Sequence, residues 1–189
     1  MGTVTLGVSI AVPEPHGSAL QSRRLGFGDA AAAGIPTHVT LLPPTEVPAA
    51  DRPLIEDHLA AVARAGRPFP MRLRGTDTFR PVSPVVYLRV VAGATACDRL
   101  QRRVRAAGGP LDRQLGFPYH PHVTLAHGID EDAMDIAQAE LADYEAAWTV
   151  RGFALYEQDE AGVWEPRREF RLAGRRAPAV PPRTPEAAA

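Results

Sequence analysis

One tetrapeptide, His-Val-Thr-Leu, occurs twice in the sequence and limits what the chain can fold into. The copies are His38–Leu41 and His122–Leu125, which start 84 residues apart (position 38 to position 122) in a chain of 189 residues. For this composition, the chance that two of the six histidines are both followed by Val-Thr-Leu is on the order of 10⁻⁶, so the copies indicate an internal repeat. The repeat predicts two half-domains of similar build.

Each copy lies in a segment whose alternating pattern predicts a β-strand. Because side chains alternate across a strand, the His and Thr of each copy project from one face, while Val and Leu point into the opposite layer. An isolated His-x-Thr on a strand is usually structural. Apolar packing explains the Val and Leu of both copies but not the matched polar pair. We therefore expect two imidazoles and two hydroxyls to converge on one cleft between the half-domains.

This set of side chains suits displacement at phosphorus. Imidazole titrates near pKa ~6.5, so near neutral pH one ring can accept a proton while its protonated partner donates one. Threonine hydroxyls can hydrogen-bond the phosphate oxygens on which charge develops in the transition state. The expected catalytic residues are His38, Thr40, His122 and Thr124, and we expect neither a metal ion nor another cofactor.

The rest of the pattern predicts strands alternating with helices, as in an α/β or α+β domain. Gly152 interrupts one strand pattern, which predicts a bulge there. The predicted strands are Thr3–Val12, Thr37–Leu42, Phe69–Arg74, Val85–Val91, Pro121–His127, Trp148–Leu155 and Trp164–Leu172. The first helix is predicted around Ser18–Ala32, and the others are marked by Leu54–Val62, Cys97–Val104 and Met134–Leu141.

Composition excludes several functions. All 21 basic residues are Arg, so chemistry that needs a lysine, such as ligation through a lysyl-adenylate, is excluded. A net charge of −1 gives no broad cationic field for duplex DNA. The single cysteine, Cys97, forms no internal disulfide and indicates a reducing interior, and no apolar run approaches 18 residues. We expect a cytoplasmic protein without membrane contact, and no protein partner can be identified.

The last sixteen residues, 174–189, contain four prolines and almost no large apolar side chain. This composition is typical of a solvated, disordered tail. We therefore expect a single domain over residues 1–173.

The two motifs resemble those of the two-histidine (2H) phosphoesterases, in particular the bacterial 2′-5′ RNA ligase/RNA 2′,3′-cyclic phosphodiesterase family. Thr37–Leu42 is similar to the first motif of that family and Tyr119–Leu125 to the second, and the similarity extends over about residues 3–172. The resemblance implies an α+β fold, with two pseudo-symmetric lobes of antiparallel sheet flanked by helices and a central cleft. It also implies catalytic roles for the four motif residues.

The activity implied is a metal-independent phosphoesterase acting on a 2′,3′-cyclic phosphate, at an RNA end or on a small nucleotide. Resemblance further implies the reverse reaction, an ATP-independent 2′-5′ joining of RNA ends. In many relatives a basic residue stands where this sequence has His127. An RNA-end or nucleotide-binding module with the same cleft but no catalysis is the alternative.

Further residues are candidates for substrate binding. Arginines on or beside predicted strands can bind a terminal phosphate, and aromatic rings can stack on a base. The phosphate candidates are Arg72, Arg74, Arg80 and His127, and the stacking candidates are Tyr119, Phe79 and Tyr87, for which core packing is an equal explanation. A third function, a metallohydrolase, would use His120, His122 and His127, although strand alternation predicts that His127 leaves the face of the other two.

Overall fold

The computed structural model describes residues 2–174, which form two four-stranded antiparallel sheets flanked by helices. The first sheet has the order β2-β1-β7-β8 and the second has the order β5-β4-β3-β6. The elements are β1 (Thr3–Ala11), α1 (His16–Gly26), β2 (His38–Pro48), α2 (Arg52–Ala65), β3 (Phe69–Thr78), β4 (Val85–Ala92), α3 (Ala94–Val104), β5 (His122–His127), α4 (Glu131–Glu140), β6 (Glu145–Val150), β7 (Gly152–Gln158) and β8 (Trp164–Arg171).

The sequence repeat is also a repeat of structure. The motif strands β2 and β5 are each the edge strand of a sheet, and each pairs with the strand that precedes it, with one α-helix between the two. The two edge strands contact each other across the boundary between the sheets. The predicted α+β architecture of two similar lobes is therefore confirmed.

Alternation along the motif strands separates the core from the cleft. Val39 and Leu41 of β2 and Val123 and Leu125 of β5 are all fully buried, whereas the His and Thr between them are half-buried. Behind the sheets, α2 contributes its buried stripe of Ile55, Leu59 and Val62 to the same core. Removing apolar surface from water stabilises the core, and the polar pair of each motif is left on the opposite face.

The segment predicted as one strand, Trp148–Leu155, is two strands in different sheets. The chain leaves the second sheet after Val150 and enters the first at Gly152, so Arg151 is the crossing point. A Cβ atom on Gly152 would lie 2.6 Å from the carbonyl oxygen of Phe170, so the close approach of β8 requires glycine. The interruption at Gly152, predicted as a bulge, is thus the crossing between the lobes.

The first helix is shorter than predicted. It ends at Gly26, Gly28 has a positive φ of 94°, and a separate 3₁₀ helix follows at Ala30–Gly34. Conversely, β2 continues to Pro48 despite Pro43 and Pro44, which an edge strand tolerates. Of the predicted tail only Gly174 lies among the described residues. No helix within residues 2–174 is long and apolar enough to span a membrane.

We predict that Gly152→Ala destabilises the protein, because the added Cβ atom collides with backbone that cannot rotate away. The expected loss in the free energy of unfolding is about 1–3 kcal/mol, as for overpacking of a dense interior. Urea denaturation measures it. The matched control is Gly26→Ala, where nothing lies within 4 Å and a helical position gains up to about 1 kcal/mol. Equal stability of Gly152→Ala and the wild type would contradict the close approach.

Candidate active site

A cavity of about 340 Å³ lies where the two motif strands meet. His38 and Thr40 of β2 and Thr124 of β5 line it together. His122 stands two residues before Thr124 on β5, so its side chain projects from the same face. The structure therefore brings the two predicted His-Thr pairs to one cleft.

A β-bulge follows the threonine of each motif. In the first sheet Ser9 pairs with Thr40 but Val8 with Leu42, and in the second Tyr87 pairs with Thr124 but Val86 with Ala126. One leucine per motif, Leu41 or Leu125, is thus the extra residue in its strand. Bulges bend a strand and re-aim the side chains that follow.

The second bulge overturns the prediction that His127 leaves the catalytic face. Because Leu125 is an extra residue in the strand, alternation restarts after it, and His127 lines the cavity together with Thr124. The prediction was wrong because it assumed regular alternation along β5. The residue pattern of this strand does not reveal the bulge.

Hydrogen bonds fix both imidazole rings in the same way. Nδ1 of His38 lies 2.6 Å from the carbonyl oxygen of Pro36, and Nδ1 of His122 lies 2.7 Å from that of His120. A carbonyl only accepts, so each Nδ1 carries the hydrogen and each Nε2 presents its lone pair when the ring is neutral. Nε2 of His38 lies 3.1 Å from Oγ1 of Thr40, whose hydroxyl can donate to it.

Both histidines have a pKa below the ordinary value of 6.5. Burial is the main cause for each ring, and the hydrogen bond to the carbonyl opposes it. The charge of Arg24 further lowers the pKa of His38, while the rings of His120 and His38 further lower that of His122. Both rings are therefore mainly neutral at pH 7, and His38 and His122 lie close enough to influence each other electrostatically.

The aromatic candidates for base stacking pack against the motifs instead. The ring of Phe79 lies edge-on to that of His122 at 5.0 Å, the ring of Tyr87 lies 5.2 Å from His122, and Phe79 and Tyr87 are 4.3 Å apart. These rings enclose one side of His122 and contribute to its burial.

Tyr119 links the two lobes. Its hydroxyl donates a 2.8 Å hydrogen bond to the backbone carbonyl of Thr40, and burial raises the pKa of its hydroxyl. This hydrogen bond engages the hydroxyl and holds β2, and the stacking of the Tyr119 ring on a substrate base stays a prediction.

The three predicted phosphate-binding arginines are held by acidic side chains outside the cavity. Arg72 donates to Glu145 of β6 over 2.8 Å, and Arg74 lies 3.9 Å from the same carboxylate. Arg80 donates to Glu131 and Asp135 of α4 over 2.7 and 2.8 Å. None of the three lines the cavity that holds the motifs. Sequence could not reveal these acidic partners, since they lie 51 or more residues away along the chain.

Arg24 is the cation that sequence reasoning missed. It lies on α1, is 3% exposed, and donates to Asp29 over 2.8 and 3.3 Å. It also lines the cavity beside His38. Arg24 lies on the buried stripe of α1 with Gly17 and Leu20. An arginine is rarely buried without a partner, so its position on this stripe was a signal in the sequence that could have identified it.

Two aromatic side chains of the first sheet complete the cavity wall. Tyr156 of β7 and Trp164 of β8 both line it. The indole of Trp164 lies over Gly7, where a Cβ atom would be 3.0 Å from the ring. Burial raises the pKa of Tyr156, whose hydroxyl is hydrogen-bonded to Ser9. Neither ring was predicted as a site residue, because their strands lie far from both motifs in sequence.

The metal alternative meets a geometric obstacle. Nδ1 of His122 is occupied by the carbonyl of His120, and the two ring centroids are 6.3 Å apart. Over residues 2–174 no group of three or more His, Cys, Asp or Glu side chains is arranged to hold a metal ion.

Comparison with known proteins agrees with this architecture. The model of the 2′-5′ RNA ligase superfamily matches residues 12–162. A protein of Shouchella clausii named "Putative phosphoesterase" is 29% identical over 150 residues, covering 77% of this chain and 85% of that protein. A protein of Halalkalibacterium halodurans with the same description is 24% identical over 168 residues, covering 88% and 96%.

Solved structures show the same fold. The protein TT0787 of Thermus thermophilus superposes with a TM-score of 0.63 at 25% identity, covering 91% of this chain and all of that one. Escherichia coli LigT, crystallised with NADP⁺, gives a TM-score of 0.65 at 19% identity, covering 90% and 99%. Fold and matched motifs thus define a two-lobed phosphoesterase of the 2H type. The chain belongs to the 2′-5′ RNA ligase superfamily.

We predict that Arg24→Met raises the pKa of His38, because removing the nearby cation favours protonation of the ring. NMR titration of the imidazole signals measures this change. Arg24→Met/Asp29→Asn shows how much of the rise comes from leaving Asp29 unpaired, and Arg64→Met, on the exposed face of α2, is the control. An unchanged pKa in both Arg24 variants would contradict the electrostatic contact.

Proposed function

We propose that this protein is a metal-independent phosphoesterase that hydrolyses 2′,3′-cyclic phosphates at RNA ends or on small nucleotides. The observation that carries the proposal is the matched state of the two imidazoles. Each ring donates Nδ1–H to the carbonyl two residues upstream and presents Nε2 on the face of its motif. Two proton-transfer groups at one cavity are what in-line displacement at phosphorus uses, and binding alone does not need them.

In the proposed reaction one histidine is neutral and the other protonated. The neutral Nε2 takes a proton from water as the water oxygen bonds to phosphorus, and the protonated ring gives its proton to the departing ribose oxygen. The cyclic diester becomes a phosphate monoester and a free hydroxyl. With an RNA 5′-hydroxyl in place of water as the attacking group, the same chemistry would join RNA ends without ATP. The 5′-oxygen bonds to phosphorus as its proton passes to the neutral Nε2, and the 3′-oxygen of the cyclic phosphate departs with the proton of the other ring, which leaves a 2′-5′ linkage.

Polar groups around the histidines would stabilise the charge that develops on phosphate. Thr40 and Thr124 line the cavity with hydroxyl donors, and Arg24 offers a guanidinium that Asp29 holds in place. A preorganised cation in a cavity shielded from water stabilises a developing anion more strongly than one in solvent. His127 lines the same cavity and would contact the phosphate. We assign no substrate contact to Arg72, Arg74 or Arg80, and to the hydroxyl of Tyr119 only the positioning of Thr40.

Two observations support nucleotides as substrates. Tyr156 and Trp164 offer ring faces beside the motifs on which a base can stack. E. coli LigT has been crystallised with 3′-AMP and with ATP. These likenesses are of fold.

The direct test is hydrolysis of 2′,3′-cyclic nucleotides and of RNA ending in a cyclic phosphate, with EDTA present. We predict turnover in EDTA, and a loss of roughly 10² to 10⁴ in kcat for His38→Ala and for His122→Ala, since each removes one proton-transfer group. The double variant should lose much less than the product of the two losses, because the rings act as a unit. Product analysis by chromatography measures the rates.

The control is His58→Gln, a histidine of α2 whose Nε2 bonds to the carbonyl of Val104 away from the cavity. Activity lost in EDTA and restored by Zn²⁺ would favour the metallohydrolase. Nucleotide binding without turnover would favour the noncatalytic module.

We predict a bell-shaped dependence of kcat/KM on pH with its maximum below pH 6.5. Catalysis needs a single proton on the pair, and burial lowers the pKa of both rings below 6.5, so the singly protonated form is most abundant on the acid side of that value. The lowered pKa means that activity falls as pH rises through neutrality. A profile of kcat/KM against pH, recorded with enough buffer to hold each pH constant, measures this dependence. A profile with a single limb would contradict paired acid–base catalysis.

A further inference from the structure

A second groove, of about 520 Å³, adjoins the cavity of the motifs. Tyr156 lines both spaces, so the side chain of Tyr156 forms the boundary between them. The groove is lined by the strands β6, β7 and β8 and by the end of β1.

Strand register places the groove on the catalytic face of the first sheet. Thr40 of β2 pairs with Ser9 of β1, Ser9 with Ala154 of β7, and Ala154 with Glu169 of β8. Residues directly opposite each other in a sheet project from the same face, so this row leads from the first motif to Glu169.

The length of this row bears on the size of the ligand. Neighbouring strands lie about 4.8 Å apart, so three steps put Glu169 about 14 Å from Thr40. A cyclic mononucleotide held at the motifs would not fill both spaces. A ligand that occupies both must continue beyond the nucleotide whose phosphate reacts.

The groove has the side chains that a nucleotide needs. Trp148 and Tyr156 supply half-buried aromatic rings, and Arg151 and Arg171 are exposed at its edge. Within residues 2–174 neither arginine has a carboxylate within ion-pairing distance. Glu169 faces the same groove, and its carboxylate would repel a phosphate. A phosphodiester would therefore lie beside the two arginines, and the ribose hydroxyls would lie near the carboxylate.

We propose that this groove binds the nucleotide next to the reacting end of an RNA chain, with its base against the aromatic rings and its phosphodiester on Arg151 and Arg171. This inference rests on the proposed function and extends it, since it makes an oligonucleotide end, not a mononucleotide, the preferred substrate. The base–aromatic contact tolerates any sequence because every base has a π-face.

The test measures binding and turnover in the full-length protein. The probe is a 5′-fluorescein-labelled tetraribonucleotide with a 3′-phosphate, and fluorescence anisotropy gives its affinity between about 50 and 200 mM salt, in the range where phosphate contacts respond to salt. For Arg151→Gln/Arg171→Gln we expect affinity to fall about fivefold to tenfold, as for two exposed ion pairs. The slope of log affinity against log salt should decrease in magnitude by about 0.7, the value for one phosphate that is no longer neutralised.

The matched control is Arg64→Gln/Arg99→Gln, which removes the same charge from exposed positions on α2 and α3. Hydrolysis of a 2′,3′-cyclic mononucleotide should be unchanged in both double variants, because it does not reach the groove. If urea denaturation shows that Arg171→Gln alone destabilises the fold, the test uses the single variant Arg151→Gln. The expected loss in binding free energy is then half that of the double variant.

Three results separate the outcomes. The proposal is overturned if the groove variant, Arg151→Gln/Arg171→Gln, and the control variant show the same slope of log affinity against log salt. A parallel loss of mononucleotide turnover in the groove variant also overturns it, because the arginines would then act at the reacting phosphate. If the wild type binds the tetranucleotide through the arginines but hydrolyses no cyclic phosphate, the proposed function fails while the groove assignment stands.

Discussion

The site depends on the contact between two edge strands, β2 and β5, from different sheets. Each carries one motif, and their contact puts His38, Thr40 and Thr124 at one cavity, with His122 on the same face of β5 as Thr124. The hydrogen bond from Tyr119 to the carbonyl of Thr40 holds the strands together from the side of the second lobe. Because edge strands have one side without a sheet neighbour, they can contact a second lobe without losing ladder hydrogen bonds.

The bulge after each motif gives the two strands the same local shape. It places two consecutive residues in the core after the threonine, Leu41 and Leu42 in one lobe and Leu125 and Ala126 in the other. In β5 the next residue, His127, then lines the cavity. The repeat of four residues is therefore accompanied by a repeated bulge, and in each lobe the Nδ1 of the motif histidine bonds to the carbonyl two residues upstream.

Electrostatics in the cavity favours neutral histidines. Burial and the charge of Arg24 both lower the pKa of His38, and only the carbonyl of Pro36 opposes them. A bound phosphate dianion or diester would add negative charge to the same space and favour a proton on one ring. In the proposed function, an anionic substrate would thus stabilise a proton on one ring. Arg24, which lowers the pKa of His38 in the free protein, would help to bind that anion.

The exact repeat predicted two similar lobes with matched His-Thr motifs, because such a repeat is visible along the chain and needs no knowledge of neighbours. The alternation of strands and helices left an α/β or an α+β domain open, and the resemblance to the 2H phosphoesterases selected α+β. The sequence by itself could not determine which arginine faces the cavity. Arg72, Arg74 and Arg80 were suitable in type and position, but acidic side chains distant in sequence hold them elsewhere, while Arg24 reaches the cavity from a helix. The bulge at Leu125 and the crossing at Gly152 were likewise decided by tertiary structure. Each depends on backbone contacts between strands, and the residue types along one strand do not reveal these contacts.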